Sequence, residues 1–428
     1  MTQLVAHRGP DGFGTALLEF TSNGVREAAG PDNHNWCVAL GHRRLSILDL
    51  SDAGRQPMCW YNRLWITFNG EIYNYLELRY DLQKCGHQFQ TATDTEVILA
   101  AYDEWGTDCF AKMRGMWGLA IVDGPRHKIV LSRDRLGIKP IYMACSEQGI
   151  AIVSEIKQLT LMPGFRLKPH APVLCDYLST GYERENVTFF EDVKAIPPGT
   201  WQLIDLPSGS TTSPQPYWHP ERIRPEIFDI GEASRLFREA LEDSVKVHLR
   251  SDVPVGCALS GGLDSSAIAG CISTLQRKED RHLETFTVTF PGSKIDEEEY
   301  ARTVIGSTRS LPHFVTPTPE RFLADLDRFT WIHDEPVGGL PQFAAYSLAR
   351  LTREVGVPVT LNGQGGDEIL AGYWQSYFMH LRGLFCAGHW LSVAGHFLSS
   401  MLPGGNPQLL KQVPASSFAP CLRASLAI

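Results

Sequence analysis

The sequence predicts a two-domain protein, a sheet-rich α+β domain followed by an α/β domain built on a parallel sheet. Three observations carry that expectation. The first half is a succession of short β-prone runs separated by turn dipeptides such as Asn69-Gly70 and Asp123-Gly124. The second half alternates strand-like and helical runs, the pattern of a parallel sheet with crossover helices. Between them "LPSGSTTSPQPYWHPERIRP", from residue 206, breaks both patterns with proline and serine. With 428 residues, 43% hydrophobic and 20% charged, the chain is long enough for two or three packed domains and is unlike a disordered polymer.

In chain order, the strand-like runs are "HRRLSILDLS" (42–51), "LWITFNGEIYN" (64–74), "MWGLAIVDGPRHKIVLSRD" (116–134) and "GIAIVSEI" (149–156). One stretch among them, "TEVILAAYDEWG" (95–106), has helical spacing. These define a first domain over 1–206 and a linker over 207–230. The second domain, 231–428, opens with "GEASRLFREALEDSVKVHLR", whose apolar residues recur with a 3.6-residue period. Strand-like "VGCAL", "ETFTVTF" and "PVTLN" follow, each beside a helical segment. The apolar stretch 383–402 predicts one packed helix rather than a membrane span, because His389 and His396, seven apart on one helical face, would be carried into lipid.

Charge and cysteines narrow the function. The formal charge is 39 − 48 = −9 with no lysine–arginine block, which argues against a nucleic-acid backbone as partner and for small molecules. The N-terminal "MTQLVAHRGPDG" has no apolar h-region, so the cytoplasm is the expected location. The ten cysteines include no CxxC pair and read as buried, reduced thiols.

"CALSGGLDSSAIAG" (257–270) concentrates small polar residues between an apolar run and a helical tail. A strand from Val255 to Leu259, a turn at Ser260, Gly261 and Gly262, and a helix from about Leu263 would aim several backbone N–H groups at one spot, which favours an anion. The glycines allow close approach, the serines add donors, and Asp264 suits the magnesium that accompanies polyphosphate. A lone Gly-Gly would read equally as a ligand-free turn; the whole SGGLDSS string favours phosphate. It lacks the lysine of a Walker loop.

SGGLDSS resembles the pyrophosphate loop of the N-type ATP pyrophosphatases, which adenylate a carboxyl or carbonyl and let a nucleophile displace AMP. "HRGPDGFG" (7–14), "RRLSILDLS" (43–51), "FNGEIYNYLELR" (68–79), "TDTEVILAAYDEWG" (93–106), "MRGMWGLAIVD" (113–123) and "SRDRLGIKPIY" (132–142) resemble the class II glutamine amidotransferase domain. With "TFTVTFPG" (285–292) and "LNGQGGDEILAGY" (361–373) in order behind them, the chain resembles the glutamine-hydrolysing asparagine synthetases from residue 7 to about 376. The resemblance implies an Ntn-hydrolase-like αββα sandwich followed by an ATP pyrophosphatase domain of the adenine nucleotide alpha hydrolase-like type.

A glutamine site must grip an α-carboxylate and an α-ammonium and place donors at an oxyanion. Arg44 suits the first and Asp94 the second, while the resemblance makes Asn69 and the Gly70 N–H the oxyanion hole, with Glu71 beside them. On local pattern alone, Asn-Gly is as much a tight hairpin turn. The family's N-terminal cysteine, with the strand that carries it, has no counterpart before HRGPDG, and Cys37 is a poor replacement for want of a terminal amine. The resemblance further assigns Ser260, Gly261, Gly262, Leu263, Asp264 and Ser265 to the pyrophosphate of ATP, Val288 to the adenine, and Asn362 with Gly363 to the adenosine. Asp264 and Asp367 would hold Mg²⁺. Gln364 stands where the family motif often has glutamate, so Glu368 or solvent would take the proton of the amidation step. The family's synthetase domain continues beyond this chain's end with a lysine to which Lys411 does not align.

The expected reaction is ATP- and Mg²⁺-dependent conversion of aspartate to asparagine through β-aspartyl-AMP, with nitrogen from glutamine or free ammonia. Two alternatives stand beside it: a β-lactam-synthetase-like or other amide-forming relative, and a non-catalytic nucleotide-binding remnant. Expected partners are these small molecules, with no nucleic acid or membrane; a homodimer is left open.

Overall fold

The computed structural model describes residues 1–401 apart from 22–23, 29, 31–35, 225, 227 and 277–281. A 3-10 segment, Thr2–Arg8, leads into strands β1 (Gly12–Thr21), β2 (Gly24–Glu27) and β3 (Val38–Arg44), an antiparallel sheet of order β2-β1-β3. Strands β4 (Met58–Trp60) and β5 (Leu64–Ile72) are followed by helices α1 (Tyr75–Lys84), α2 (Asp94–Trp105) and α3 (Cys109–Lys112), then by β6 (Gly115–Asp123) and β7 (Lys128–Arg133). Strands β8 (Tyr142–Ser146) and β9 (Gly149–Val153), helix α4 (Ala171–Thr180) and strand β10 (Val193–Ala195) give a second small sheet, β10-β8-β9. Strands β11 (Thr200–Asp205) and β12 (Gln215–Pro216) complete a six-stranded antiparallel sheet, β12-β11-β7-β6-β5-β4.

That large sheet is the middle layer, and the period-two alternation of its strands decides what each face meets. Ile66, Phe68, Leu119, Ile121 and Val130 face α1, α2 and α3, where they bury against Leu82, Val97, Ala101 and Phe110. Their neighbours Trp65, Ala120, Val122, Ile129 and Leu131 turn to the two small sheets, meeting Leu18, Leu40, Ile141 and Met143. The strand pattern read from the sequence is the cause of this sandwich.

The second half begins with α5 (Ile230–His248), capped by Asp229, whose side chain accepts from the N–H groups of Gly231 and Glu232. Then come β13 (Val255–Ala258), α6 (Leu263–Gln276), β14 (Glu284–Val288), α7 (Glu298–Thr308), β15 (Leu311–Val315), α8 (Pro319–His333), α9 (Leu340–Val355) and β16 (Val359–Leu361). The strands pair in parallel in the order β15-β14-β13-β16. Short α10 (Gly366–Leu370), α11 (Trp374–Cys386) and α12 (Trp390–Met401) follow. The chain forms two compact units, one of Met1–Gly262 with Ser266–Leu361, the other of Leu263–Ser265 with the chain from Asn362 onward.

Within the first unit, polar contacts join the sandwich to the parallel-sheet region. Arg250 donates to Tyr73 O at 2.6 Å and pairs with both Glu77 oxygens, and Arg114 pairs with Asp243 at 3.0 Å. Glu155 accepts from His7 at 2.8 Å, Arg8 at 3.1 Å and Lys157 at 2.5 Å, and Lys157 also reaches Asp334 at 2.9 Å across the face of Trp331.

Four expectations need correction. Asn69-Gly70 is no turn: it lies inside β5, paired with Gly118 and Trp117. Gly70 has φ of +154°, and a Cβ there would strike Met116 O, so the glycine serves close strand approach. The run 42–51 is extended only to Arg44, whose guanidinium gathers the carbonyls of Leu48, Asp49 and Ser51 and folds that segment back. The apolar stretch 383–402 is not one helix, because α11 stops before Gly388 (φ +78°) and α12 starts at Trp390, leaving His389 outside; among the described residues no helix is long and apolar enough to cross a membrane. Cys37, Cys85, Cys145 and Cys175 are exposed rather than buried, Cys109 and Cys257 are buried, and Cys386 is disulfide-bonded. Cys421, like Lys411, lies outside the described residues.

In the 207–230 stretch, β12 adds to β11, and Tyr217 stacks on Trp117 with ring centroids 5.9 Å apart while its hydroxyl donates to Arg133 O at 2.7 Å.

Candidate functional site

The five residues expected at the glutamine end line one cavity of about 440 Å³. Arg44 closes β3, and Asn69, Gly70 and Glu71 sit near the C-terminal end of β5. Asp94 opens α2 because Thr93 caps that helix, its side chain accepting from Glu96 N at 3.2 Å. The Asp94 carboxylate accepts from Ile72 N at 2.9 Å, which ties the helix start to the strand end. Gln56 braces the same corner, accepting from Phe68 N at 2.8 Å and donating to Thr95 at 3.3 Å.

Electrostatics set the cavity's character. Burial, then the charge of Asp94, pushes Glu71 up to about 8, so its carboxyl keeps a proton at neutral pH. Burial raises Asp94 to about 6, against the N–H groups that favour its charge. His42 is lowered to about 4 by burial and by Arg44, which makes it a neutral wall residue. Arg44 spends N–H groups on the 48–51 loop yet is paired with no carboxylate among the described residues. Asn69 Nδ2 is buried with no hydrogen-bond partner, a donor left for a guest. Cys37 lies outside this lining and is exposed.

In the first unit, β13 leads to the expected turn. Gly262 N donates to Ser260 Oγ at 3.2 Å, and Gly261 has φ of +90°, where a Cβ would stand 2.6 Å from Ala301 N. Only glycine fits that position. Val288 ends β14, beside Thr287, which donates to Leu259 O at 2.8 Å.

Leu263, Asp264 and Ser265 belong to the second unit with 362–368. Leu263 is exposed and Ser265 buried. A Cβ on Gly366 would fall on the Asp264 carboxylate, and one on Gly363 would lie 3.0 Å from Ser265 N. Two glycines thus make room for the start of α6. Gln364 N donates to Asn362 Oδ1 at 3.1 Å. Asp367 and Glu368 open α10; the Asp367 carboxylate lies over Gly372, and Glu368 accepts from Tyr373 OH at 3.0 Å. Asp264 and Asp367 are hard oxygen donors of the kind that hold Mg²⁺ with phosphates, and the space over Gly366 admits the first of them.

Lys139, Gln56 and the Glu155 cluster escaped the sequence reading. Lys139 sits inside a quoted motif, "SRDRLGIKPIY", but the others show themselves only through distant partners.

The family model described as glutamine amidotransferase domain matches residues 1–218, and the one described as asparagine synthase matches 236–421. A putative glutamine-hydrolysing asparagine synthetase of Methanocaldococcus jannaschii is 33% identical over 401 residues, 90% of this chain and 73% of that one. Asparagine synthetase 1 of Bacillus subtilis is 32% identical over 87% of this chain and 55% of its own length; a Gibberella zeae protein named amidase chry2 is 30% identical over 86% and 54%. The chain spans about half the length of the last two. An antiparallel amidotransferase sandwich, a parallel α/β region and these matches together make the chain a member of the glutamine-hydrolysing asparagine synthetase family.

Proposed function

We propose that the chain amidates the side-chain carboxylate of aspartate at the expense of ATP, yielding asparagine, AMP and pyrophosphate. A carboxylate oxygen attacks the α-phosphorus, the bond to pyrophosphate breaks, and ammonia then attacks the acyl carbon of β-aspartyl-AMP and expels AMP. What supports this is the turn after β13, where Gly261 alone fits and Gly262 N bonds Ser260 Oγ. Ser260 to Ser265 would hold the pyrophosphate, Val288 the adenine, and Asn362 with Gly363 the adenosine. Asp264 and Asp367 would hold Mg²⁺, which when bound neutralises phosphate oxygens. Gln364 cannot accept a proton, so Glu368, oriented by Tyr373, or solvent takes the one released by the attacking nitrogen.

The cavity of the sandwich would bind glutamine as nitrogen donor, with Arg44 on its α-carboxylate, Asp94 on its ammonium, and Asn69 Nδ2 with Gly70 N at the amide oxygen, Glu71 beside them; free ammonia is the other source. The same proposal places the domains at 1–206 and 231–428 and the protein in the cytoplasm, and leaves a homodimer open.

The test is to supply ATP, Mg²⁺, aspartate and ammonium chloride. AMP, pyrophosphate and asparagine should form in equal amounts, and Asp264→Ala should lower the rate about a hundredfold or more. ADP as product overturns the proposal. The likeness to a fungal amidase favours a second reading, in which a substrate amine replaces ammonia; a conjugated or cyclised amide in place of asparagine would decide for it.

A further inference from the structure

The loop behind Arg44 is held in part from outside the sandwich. Asp49, in that loop, has φ of +53°, a left-handed conformation that a residue with a Cβ keeps only where its surroundings hold it. Three contacts do so. The Arg44 guanidinium donates to the Asp49 carbonyl, the Asp49 carboxylate accepts from Ala92 N at 3.0 Å, and Asp49 N donates to Asp252 Oδ2 at 2.7 Å. Asp252 N donates in turn to Ile47 O at 2.9 Å, so one residue serves both a donor and an acceptor of the loop. Ile47 and Leu48 line the cavity beside Arg44. Arg44 and Ala92 belong to the sandwich, whereas Asp252 lies in the connector between α5 and β13, which runs on to the Ser260 turn.

The same connector holds the Asn69–Glu71 side of the cavity. Arg250 donates to Tyr73 O, just beyond Glu71, and pairs with both Glu77 oxygens. His248, the last residue of α5, packs on the Tyr73 ring with centroids 3.8 Å apart. Only Ser251 separates Arg250 from Asp252, so their α-carbons are at most about 7 Å apart along extended chain. Arg44 on one side and Asn69 with Gly70 on the other are therefore fastened to one short piece of backbone. A ligand gripped at both ends needs that spacing kept, because a shift of about 1 Å at either end breaks a hydrogen bond.

We propose that Asp252 and Arg250 are positioning residues of the glutamine site, which the parallel-sheet region thereby completes. They set the distance between the grip on the α-carboxylate at Arg44 and the donors for the amide oxygen at Asn69 and Gly70. Neither lines the cavity, so both act through the walls they hold. This rests on the cavity being a glutamine site.

Calorimetric titration of the full chain with L-glutamine at pH 7, combined with hydrogen exchange of its backbone amides, tests it. Asp252→Ala should weaken glutamine binding about fivefold, the worth of one hydrogen bond, and speed exchange over residues 45–52 alone. Asp252→Asn keeps an acceptor for Asp49 N and should stay within about twofold of the unaltered chain. Arg250→Met should weaken binding by a similar factor, with the faster exchange confined to 73–77. Unchanged affinity in Asp252→Ala or in Arg250→Met overturns the proposal, as does a loss that Asp252→Asn shares. A loss that comes with a lower melting temperature and faster exchange throughout the sandwich overturns it too, since that is a purely structural role. Failure of the unaltered chain to bind glutamine overturns the glutamine-site reading and the proposal with it.

Discussion

Glu71 and Asp94 share one small cavity as carboxyls that burial holds above their ordinary range, near 8 and near 6. A carboxyl raised on folding binds its proton more tightly in the native chain than in the unfolded one. Its contribution to stability is present at pH below about 4.5 and is lost as pH rises toward 8. Glu71→Gln removes that titration. Denaturant unfolding between pH 5 and 8 should show the unaltered chain losing stability relative to Glu71→Gln by up to about 1.4 kcal/mol per pH unit; parallel pH profiles would refute the raised carboxyl. At this scale the sequence revealed residue types better than their burial. Arg44 and Asp94 were singled out by their chemistry and Asn69 and Glu71 by the family resemblance, and the structure gathers all four in one cavity. Lys139 was missed because a single lysine in a loop gives no sign that it will line a cavity.

Helix α2 shows what an element needs in order to be read from its own residues. Thr93 before it, acidic Asp94 and Glu96 in its first turn and Gly106 (φ +57°) at its end mark both boundaries, and Glu96 returns to bond the N–H groups of Gln90 and Thr91 at 2.8 Å. Thr93→Ala removes the cap and should cost about 1 kcal/mol in unfolding free energy, with a weaker hold on the Asp94 carboxylate visible as reduced amino-acid affinity. A change confined to stability would mean that the helix start does not position the site. Asn69-Gly70 failed as a turn signal for a physical reason: the same dipeptide that permits a hairpin also permits a strand to pass close to its neighbour, and only the pairing with Gly118 and Trp117 separates the two. The stretch 383–402 kept its helical period on both sides of Gly388, so hydrophobic spacing alone did not show the break.

Across the whole molecule, the sandwich and the parallel-sheet region of the first unit are fastened by charges far apart in sequence. Glu155, Lys157 and Asp334 have side chains only 6%, 11% and 10% exposed, and Lys157 is the cation between the two carboxylates. Lys157→Met leaves Asp334 buried without its cation, while Glu155 keeps Arg8 and His7, and should destabilise the chain by about 3 kcal/mol. Asp334→Asn in the same background should recover part of that loss, as a double-mutant cycle would show; additive effects would mean that the contact is incidental. No sequence pattern announces a pair such as Lys157 and Asp334, because neither residue type nor spacing encodes a meeting of distant segments. The two-domain order was legible, since period and turn signals are local. The edge of the first domain also uses residues of the 207–230 stretch. With β12 sealing the edge of the large sheet and Tyr217 roofing Trp117, a fragment cut at residue 206 would expose an indole and an open strand to solvent. Constructing the sandwich alone calls for a cut after residue 217, and the shorter piece should aggregate where the longer one stays monodisperse.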